Sequence, residues 1–458
     1  MIVLVALGCA GGPGEPTPAR EDAAAIVAPA PDAPDLVLVG VAGLRADPVT
    51  RAADQFLAPF AGEPGYVWTE AHSQSPAASV SLGSVLTGRY PSAIPMCASP
   101  TGPDDAERAA PWCTKLPSNV ATVPRVLGLY GYRTALVTAD LHGARALGAA
   151  FQDHVVVSED WDERATDWTA VERAAKVWWD ADDSRPRLLV VATSDLDARW
   201  IPGLRQQMRV TLDTTGLPTG IDHTQVYPAY TQAAGRTGLA VRALVGGLSP
   251  GRRARYTTVF GIHGINLGDS QERGQVLREG SWSDLLLERT THVPLAMFGP
   301  FGARGEVSDL VELVDVAPTV LALAGAVAPS GLPGRDLLRG SREQDPWVYA
   351  EFGDMLSVRR GDWMLALRAF LFNRSALDPE LTNYLLEEFA IREDNWWLHD
   401  VRADPLQGAN RLSSEPDRAR ELHALLVELR TGPGAPPPSA LDARKVWELR
   451  MSAAQGYW

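Results

Sequence analysis

The chain has 458 residues, 45% of them hydrophobic and 21% charged, which suits a soluble globular protein with room for one large α/β domain and an appendage, or for two or three ordinary domains. Its formal net charge of −14 argues against nucleic acid as the main partner, because phosphate binding depends on clustered Lys and Arg. No internal apolar run is long enough to span a bilayer. After an Ala/Pro/Gly-rich stretch up to Pro34, whose composition buries no core and predicts an extended tether, "DLVLVGV" (Asp35 to Val41) predicts a strand buried on both faces. A helix is expected from about Ser79 to Leu86. "TVPRVLGLYGYRTALVTAD" then predicts a short helix, a Gly-Tyr turn and a second buried strand. A helix near "AVERAAKVWWDA", the strand "RLLVVAT", a helix near "AYTQAAGRTGLAVRALVGGL" and the strand "YTTVFGI" continue the alternation. "VPLAMFGP" adds a strand and "VDVAPTVLALAG" a helix with a glycine stop. Strands alternating with helices imply a large, mostly parallel sheet covered by helices on both faces. From about Asp345 the pattern changes to shorter strands, "WVYAEF", "LSVRRGDWMLALR" and "WWLHDV", and then a helix, which predicts a small antiparallel α+β subdomain. The expected division is 1–33 for leader and tether, 34–344 for the α/β domain and 345–458 for the subdomain.

The N-terminal "MIVLVALGCA" is a short apolar run ending in Gly8-Cys9, and it resembles the end of a bacterial lipoprotein signal. That resemblance implies lipid on Cys9 and a bacterial cell-envelope location, with the membrane reached only through the N-terminal lipid. It departs from the pattern in lacking a basic n-region, and the other reading is a frayed apolar terminus. With Cys9 set aside, Cys97 and Cys113 bracket the polar loop "ASPTGPDDAERAAPW", as a disulfide or as two free thiols. Neither has a C-x-x-C or His context suited to metal.

Several segments in order resemble the sulfatases of the alkaline phosphatase superfamily, from about Pro34 to Leu429. "GLRAD" (Gly43 to Asp47) follows an opening strand, and "LTGRYP" (Leu86 to Pro91) sits where the family has its signature helix and turn. "LPSNVATVPRVLGLYGYRTALV", "HVPLAMFGP", "LVDVAPTVLALAG" and "WWLHDVRADPLQGANRL" resemble further family segments. The resemblance implies a nucleophile at a helix start, a formylglycine, Thr or Ser, that attacks sulfur or phosphorus. It also implies calcium or another divalent cation held by carboxylates from separate strand ends.

Position by position, that chemistry is missing. Where the family's opening strand ends in two aspartates, this chain has Ala42 and Gly43. Counting back from Leu86-Thr87-Gly88 places Ala78 on the nucleophile and Leu82 on the arginine of C/S/T-x-P-S-R. Ile262 and His263 occupy the second metal motif. Asp195-Leu196-Asp197 replaces a histidine with Asp197, and Gly361-Asp362-Trp363-Met364 lacks a lysine. None of Ser75, Ser79, Ser81 and Ser84 stands on the nucleophile position; Ser79, one residue along, is rotated by about 100° on a helix. His263 reads as a residual polar core residue, Arg45 and Asp47 as partners of their neighbours, and the tryptophans as packing rather than sugar platforms.

The expectation is therefore a catalytically inactive sulfatase-like envelope lipoprotein with a binding or scaffold role and no cofactor. Its partner would be a sulfated or phosphorylated glycan or lipid, or an active paralogue. The alternative is an active sulfuric- or phosphoric-ester hydrolase or transferase with a site rebuilt from Asp47, Ser79, Ser81, Asp195, Asp197 and His263.

Overall fold

Strand β1 (Asp35–Ala42) is buried along its whole length, as a run with no polar face must be. Its side chains alternate between two cores. Leu36, Leu38 and Ala42 enter one, while Val37, Val39 and Val41 enter the other. Leu188, Val190 and Ala192 against Leu189 and Val191 repeat the alternation on a neighbouring strand, so the sheet is covered on both sides.

The computed structural model describes residues 32–94, 116, 118–139, 144–158, 166–182, 184–196, 223–267, 286–302, 304–340, 346–352, 355–367 and 396–431. After β1 come α1 (Ala52–Leu57), β2 (Gly65–His72), α2 (Ala78–Thr87), α3 (Val123–Leu129), β3 (Arg133–Ala139), α4 (Ala144–Gly148), β4 (Asp153–Ser158) and α5 (Trp168–Asp180). Then follow β5 (Arg187–Thr193), α6 (His223–Gly247), β6 (Arg255–His263), α7 (Glu288–Thr291), β7 (His292–Phe298), β8 (Arg304–Glu312) and α8 (Val316–Leu323). The last elements are β9 (Trp347–Phe352), β10 (Met355–Arg360), β11 (Trp363–Leu367), β12 (Trp396–Asp400) and α9 (Pro416–Thr431).

Eight strands form one sheet in the order β4-β3-β5-β1-β6-β7-β2-β8. Neighbours from β4 to β6 run parallel, β7 runs antiparallel to both β6 and β2, and β2 runs parallel to β8. The expected mostly parallel sheet is thus present, with one reversed strand. α2, α3 and α8 supply Leu82, Leu127 and Val320 to the Leu36 face; α1, α5 and α6 supply Phe56, Val171 and Val241 to the other. Helix ends follow local chemistry. Asp167 caps α5 by accepting from the Ala170 N–H at 3.1 Å, and Thr122 caps α3 by accepting from the Arg125 N–H at 3.2 Å. α2 stops at Gly88, whose φ of 66° is left-handed backbone that glycine adopts without a Cβ penalty.

The second sheet, β12-β11-β10-β9, is antiparallel throughout. "LSVRRGDWMLALR" is two strands, folded back at Gly361. α9 lays Ala419, Leu422 and Leu426, spaced i, i+3 and i+7, over Leu356, Val358, Leu365 and Leu398. Each fully buried leucine or valine among them contributes about 1.5–3 kcal/mol relative to exposure. Glu351 of β9 ties this layer to the turn after α2, accepting from the Ser92 N–H at 2.7 Å. Among the described residues no helix is long and apolar enough to cross a membrane.

Candidate functional site

In open parallel sheets, ligands gather beyond the carboxyl ends of the strands, where loops present polar groups. Here β1 and β6 end side by side, with Ala42 opposite His263 after a register shift at Val41. α2 starts next to them, and the Ser81 hydroxyl donates a 2.5 Å hydrogen bond to the Ile262 carbonyl. Ala42, Leu82 and Ile262 lie in the same buried core, with Ala78 packed against it. The positions marked by the sulfatase resemblance therefore do converge in space.

What they present is apolar. Gly43 sits at φ 79°, and its carbonyl accepts a 2.5 Å hydrogen bond from the Tyr230 hydroxyl, which also accepts from the Arg45 N–H at 2.9 Å. An α6 side chain thus caps the backbone just beyond the end of β1. His263 is buried, with Nδ1 2.6 Å from the Gly264 carbonyl, so that nitrogen carries the proton. A hard divalent cation needs several anionic oxygens. Ala42, Gly43 and Ile262 offer no side-chain oxygen, so the residues here do not fit the calcium that the resemblance implies.

The two described carboxylates considered for a rebuilt site are already engaged. Asp47 accepts from Arg45 Nε at 2.6 Å, from the Val49 and Thr50 N–H groups at 3.0 and 3.1 Å, and from the Thr50 hydroxyl at 3.0 Å. Asp195 accepts from the Thr166 N–H at 3.2 Å, from the Trp168 indole at 2.9 Å and from the Thr237 hydroxyl. Ser79 is buried. Trp178 and Trp179 donate to Asp153 and to the Ser249 carbonyl at 2.8 and 3.1 Å, and Trp396 lies in the core of the small sheet. Cys9, Cys97, Cys113 and Asp197 lie outside the described residues.

A second polar constellation lies where the large sheet meets the small one. Its members are His72 at the end of β2, Glu288 in α7, His292 at the start of β7 and Arg359 on β10, all buried. Glu288 stands 3.2 Å from His72 Nε2, 3.3 Å from His292 Nδ1 and 2.8 Å from Arg359 Nη1. Arg359 also pairs with Glu70 at 2.8 Å and donates to the Gly361 carbonyl at 2.9 Å. Burial alone would raise the Glu288 pKa, but Arg359 and the two imidazoles hold it well below the usual carboxylate range. For His72 burial wins, and its pKa is lowered. For His292 burial is outweighed by its hydrogen bond and attraction to Glu288, and its pKa is raised. This group is not legible in the sequence, where its only local signal is Glu288-x-x-x-His292, since His72 and Arg359 arrive from strands far away in the chain.

The family pattern described as Sulfatase matches residues 42–326. Human arylsulfatase K is 39% identical over 123 residues, which cover 21% of this chain and 23% of that protein. The matches to the arylsulfatase K proteins thus span under a third of those relatives' length. A provisionally assigned sulfatase from Bacteroides thetaiotaomicron VPI-5482 superposes with a TM-score of 0.62 at 15% identity, covering 87% of this chain and 92% of the other. A protein solved with its substrate D-glucosamine-2-N,6-O-disulfate superposes with a TM-score of 0.56 at 14% identity, covering 87% and 98%. The superpositions speak for the fold, and the family pattern runs through more than half of the chain, from the end of β1 past α8: this chain belongs to the sulfatase family.

Proposed function

We propose that this sulfatase-family chain recognises a sulfated glycan without cleaving it, and that it works without a bound calcium ion. The observation that carries the reading is the apolar replacement at the convergence of β1, β6 and α2, where Ala42, Ala78, Leu82 and Ile262 stand in place of carboxylates, nucleophile and arginine. Burying several carboxylates costs several kcal/mol each unless a cation compensates them, so a chain that gives up the cation is stabilised by small or apolar residues there. The structural neighbour solved with a disulfated glucosamine supports a glycan as the ligand class. No particular observation favours a rebuilt hydrolytic site, since Asp47 and Asp195 are engaged by neighbours. Export and lipid anchoring through Cys9 complete the proposal; membrane association of a Cys9→Ala variant tests them, and unchanged association refutes the anchor.

The direct test incubates the purified chain with aryl sulfate and aryl phosphate esters, with and without calcium, and titrates it calorimetrically with D-glucosamine-2-N,6-O-disulfate and heparin fragments. Saturable binding with no turnover is the expected result. Turnover that survives further purification and responds to calcium overturns it.

A further inference from the structure

We propose that His72, Glu288 and His292 form a binding site for one zinc ion, built from β2, α7 and β7 rather than from the strand ends that carry metal in the family. His72 Nδ1 faces the Glu70 carbonyl at 3.4 Å, and His292 Nε2 faces the Thr69 carbonyl at 2.8 Å. A carbonyl only accepts, so each outer nitrogen carries a proton, and the inner nitrogens of neutral rings are lone pairs. Those lone pairs converge on Glu288, which is itself an acceptor when ionised. Three acceptors facing one another require a positive charge between them.

Arg359 supplies part of that charge, reaching Glu288 at 2.8 Å and His72 Nε2 at 3.3 Å. It does not bridge His292 Nδ1 to Glu288, 3.3 Å apart. That gap holds either a proton on His292 or a metal ion in its place. Two imidazoles and a carboxylate are one of the common three-protein-ligand sets of zinc, and the three ligand atoms all lie within 4.8 Å of one another. From the single oxygen Glu288 Oε2, His72 Nε2 and His292 Nδ1 each lie at 3.3 Å, which matches the edge of a tetrahedron with bonds of about 2.0 Å, about 3.3 Å. The surroundings are those of a metal site as well. Backbone carbonyls fix both ring tautomers, Arg359 orients the carboxylate, and all three ligands are buried.

Binding asks for a small rearrangement. The two rings lie 4.9 Å apart and 8° from parallel, so one turns about Cβ–Cγ to aim its lone pair. His72, with the longer outer contact, is the ring with room to turn. Arg359 then gives up His72 and keeps Glu288 and Glu70.

The experiment uses the full purified chain, dialysed free of metal and titrated with zinc and with cobalt(II). About one equivalent of zinc, a rise in thermal midpoint with zinc, and the visible d–d bands of tetrahedral cobalt are expected. His292→Gln and His72→Gln are expected to weaken zinc at least 100-fold, while His399→Gln leaves it unchanged. The cobalt spectrum of the unaltered chain decides the matter should the variants fail to fold. No stoichiometric metal and no shift in midpoint, or zinc binding that survives both substitutions, overturns the proposal and leaves the proton on His292 as the bridging charge. Because the assay reads metal and not turnover, its failure is separate from failure of the proposed glycan-binding role.

Discussion

Two neighbouring regions at one end of the large sheet have opposite chemistry. At the ends of β1 and β6 the side chains are Ala42, Ile262 and, from α2, Leu82, so the backbone satisfies itself through Ser81 and Tyr230. At β2, α7, β7 and β10, ionisable side chains stay buried because each has a charged or hydrogen-bonding partner within about 3.3 Å. Buried charge is kept where it comes as a balanced set, and the side chains at Ala42, Leu82 and Ile262 are uncharged.

Breaking that rule on the apolar side gives the largest expected effect. Ile262→Asp puts an unpaired carboxylate into a fully buried position and is expected to cost about 4 kcal/mol or more in urea unfolding. Millimolar calcium is expected to give none of it back; recovery would show that the family's cation cage still exists. On the charged side, Arg359→Met leaves Glu288 and Glu70 without their guanidinium and is expected to cost about 3–5 kcal/mol by the same measurement. A wild-type-like urea midpoint would mean the network is ornamental.

Acid sharpens the comparison next. Burial, with Arg289 nearby, pushes His399 down to about 4. A base with a lowered folded-state pKa favours the neutral form, so its contribution is complete above the unfolded value of about 6.5. It is lost as pH falls from about 6.5 to about 4, at roughly 1.4 kcal/mol per unit, about 3 kcal/mol in all. His399→Gln is expected to flatten this slope in stability measured against pH; an unchanged slope places the titration elsewhere. The smallest effect belongs to Ser81→Ala, which removes one hydrogen bond to Ile262 and is expected to cost about 1 kcal/mol. A change in glycan affinity with that substitution would show that the Ser81 region contacts ligand.

Legibility in the sequence followed the same divide. β1 and β5 were readable because both faces are apolar, which leaves an uninterrupted hydrophobic run. β4 and β8 were not, because they are the edges of the sheet and mix exposed with half-buried positions, and β2 lies next to the β8 edge. The convergence of Ala42, Ala78, Leu82 and Ile262 was accessible through local motifs. The His72–Glu288–His292–Arg359 group was not, because β10 brings Arg359 to His72 across 287 positions.

The central place of β1 has a consequence for how the chain is made. Leu36 pairs with Leu188 on one side and Tyr256 on the other, so β1 acquires its two neighbours roughly 150 and 220 residues after its own synthesis. At about 5–20 residues per second, "DLVLVGVA" waits on the order of 10–40 s for its second partner. A segment of low charge and high β-propensity is an aggregation hazard while it waits. Anything that covers β1 until β6 has emerged lowers that hazard.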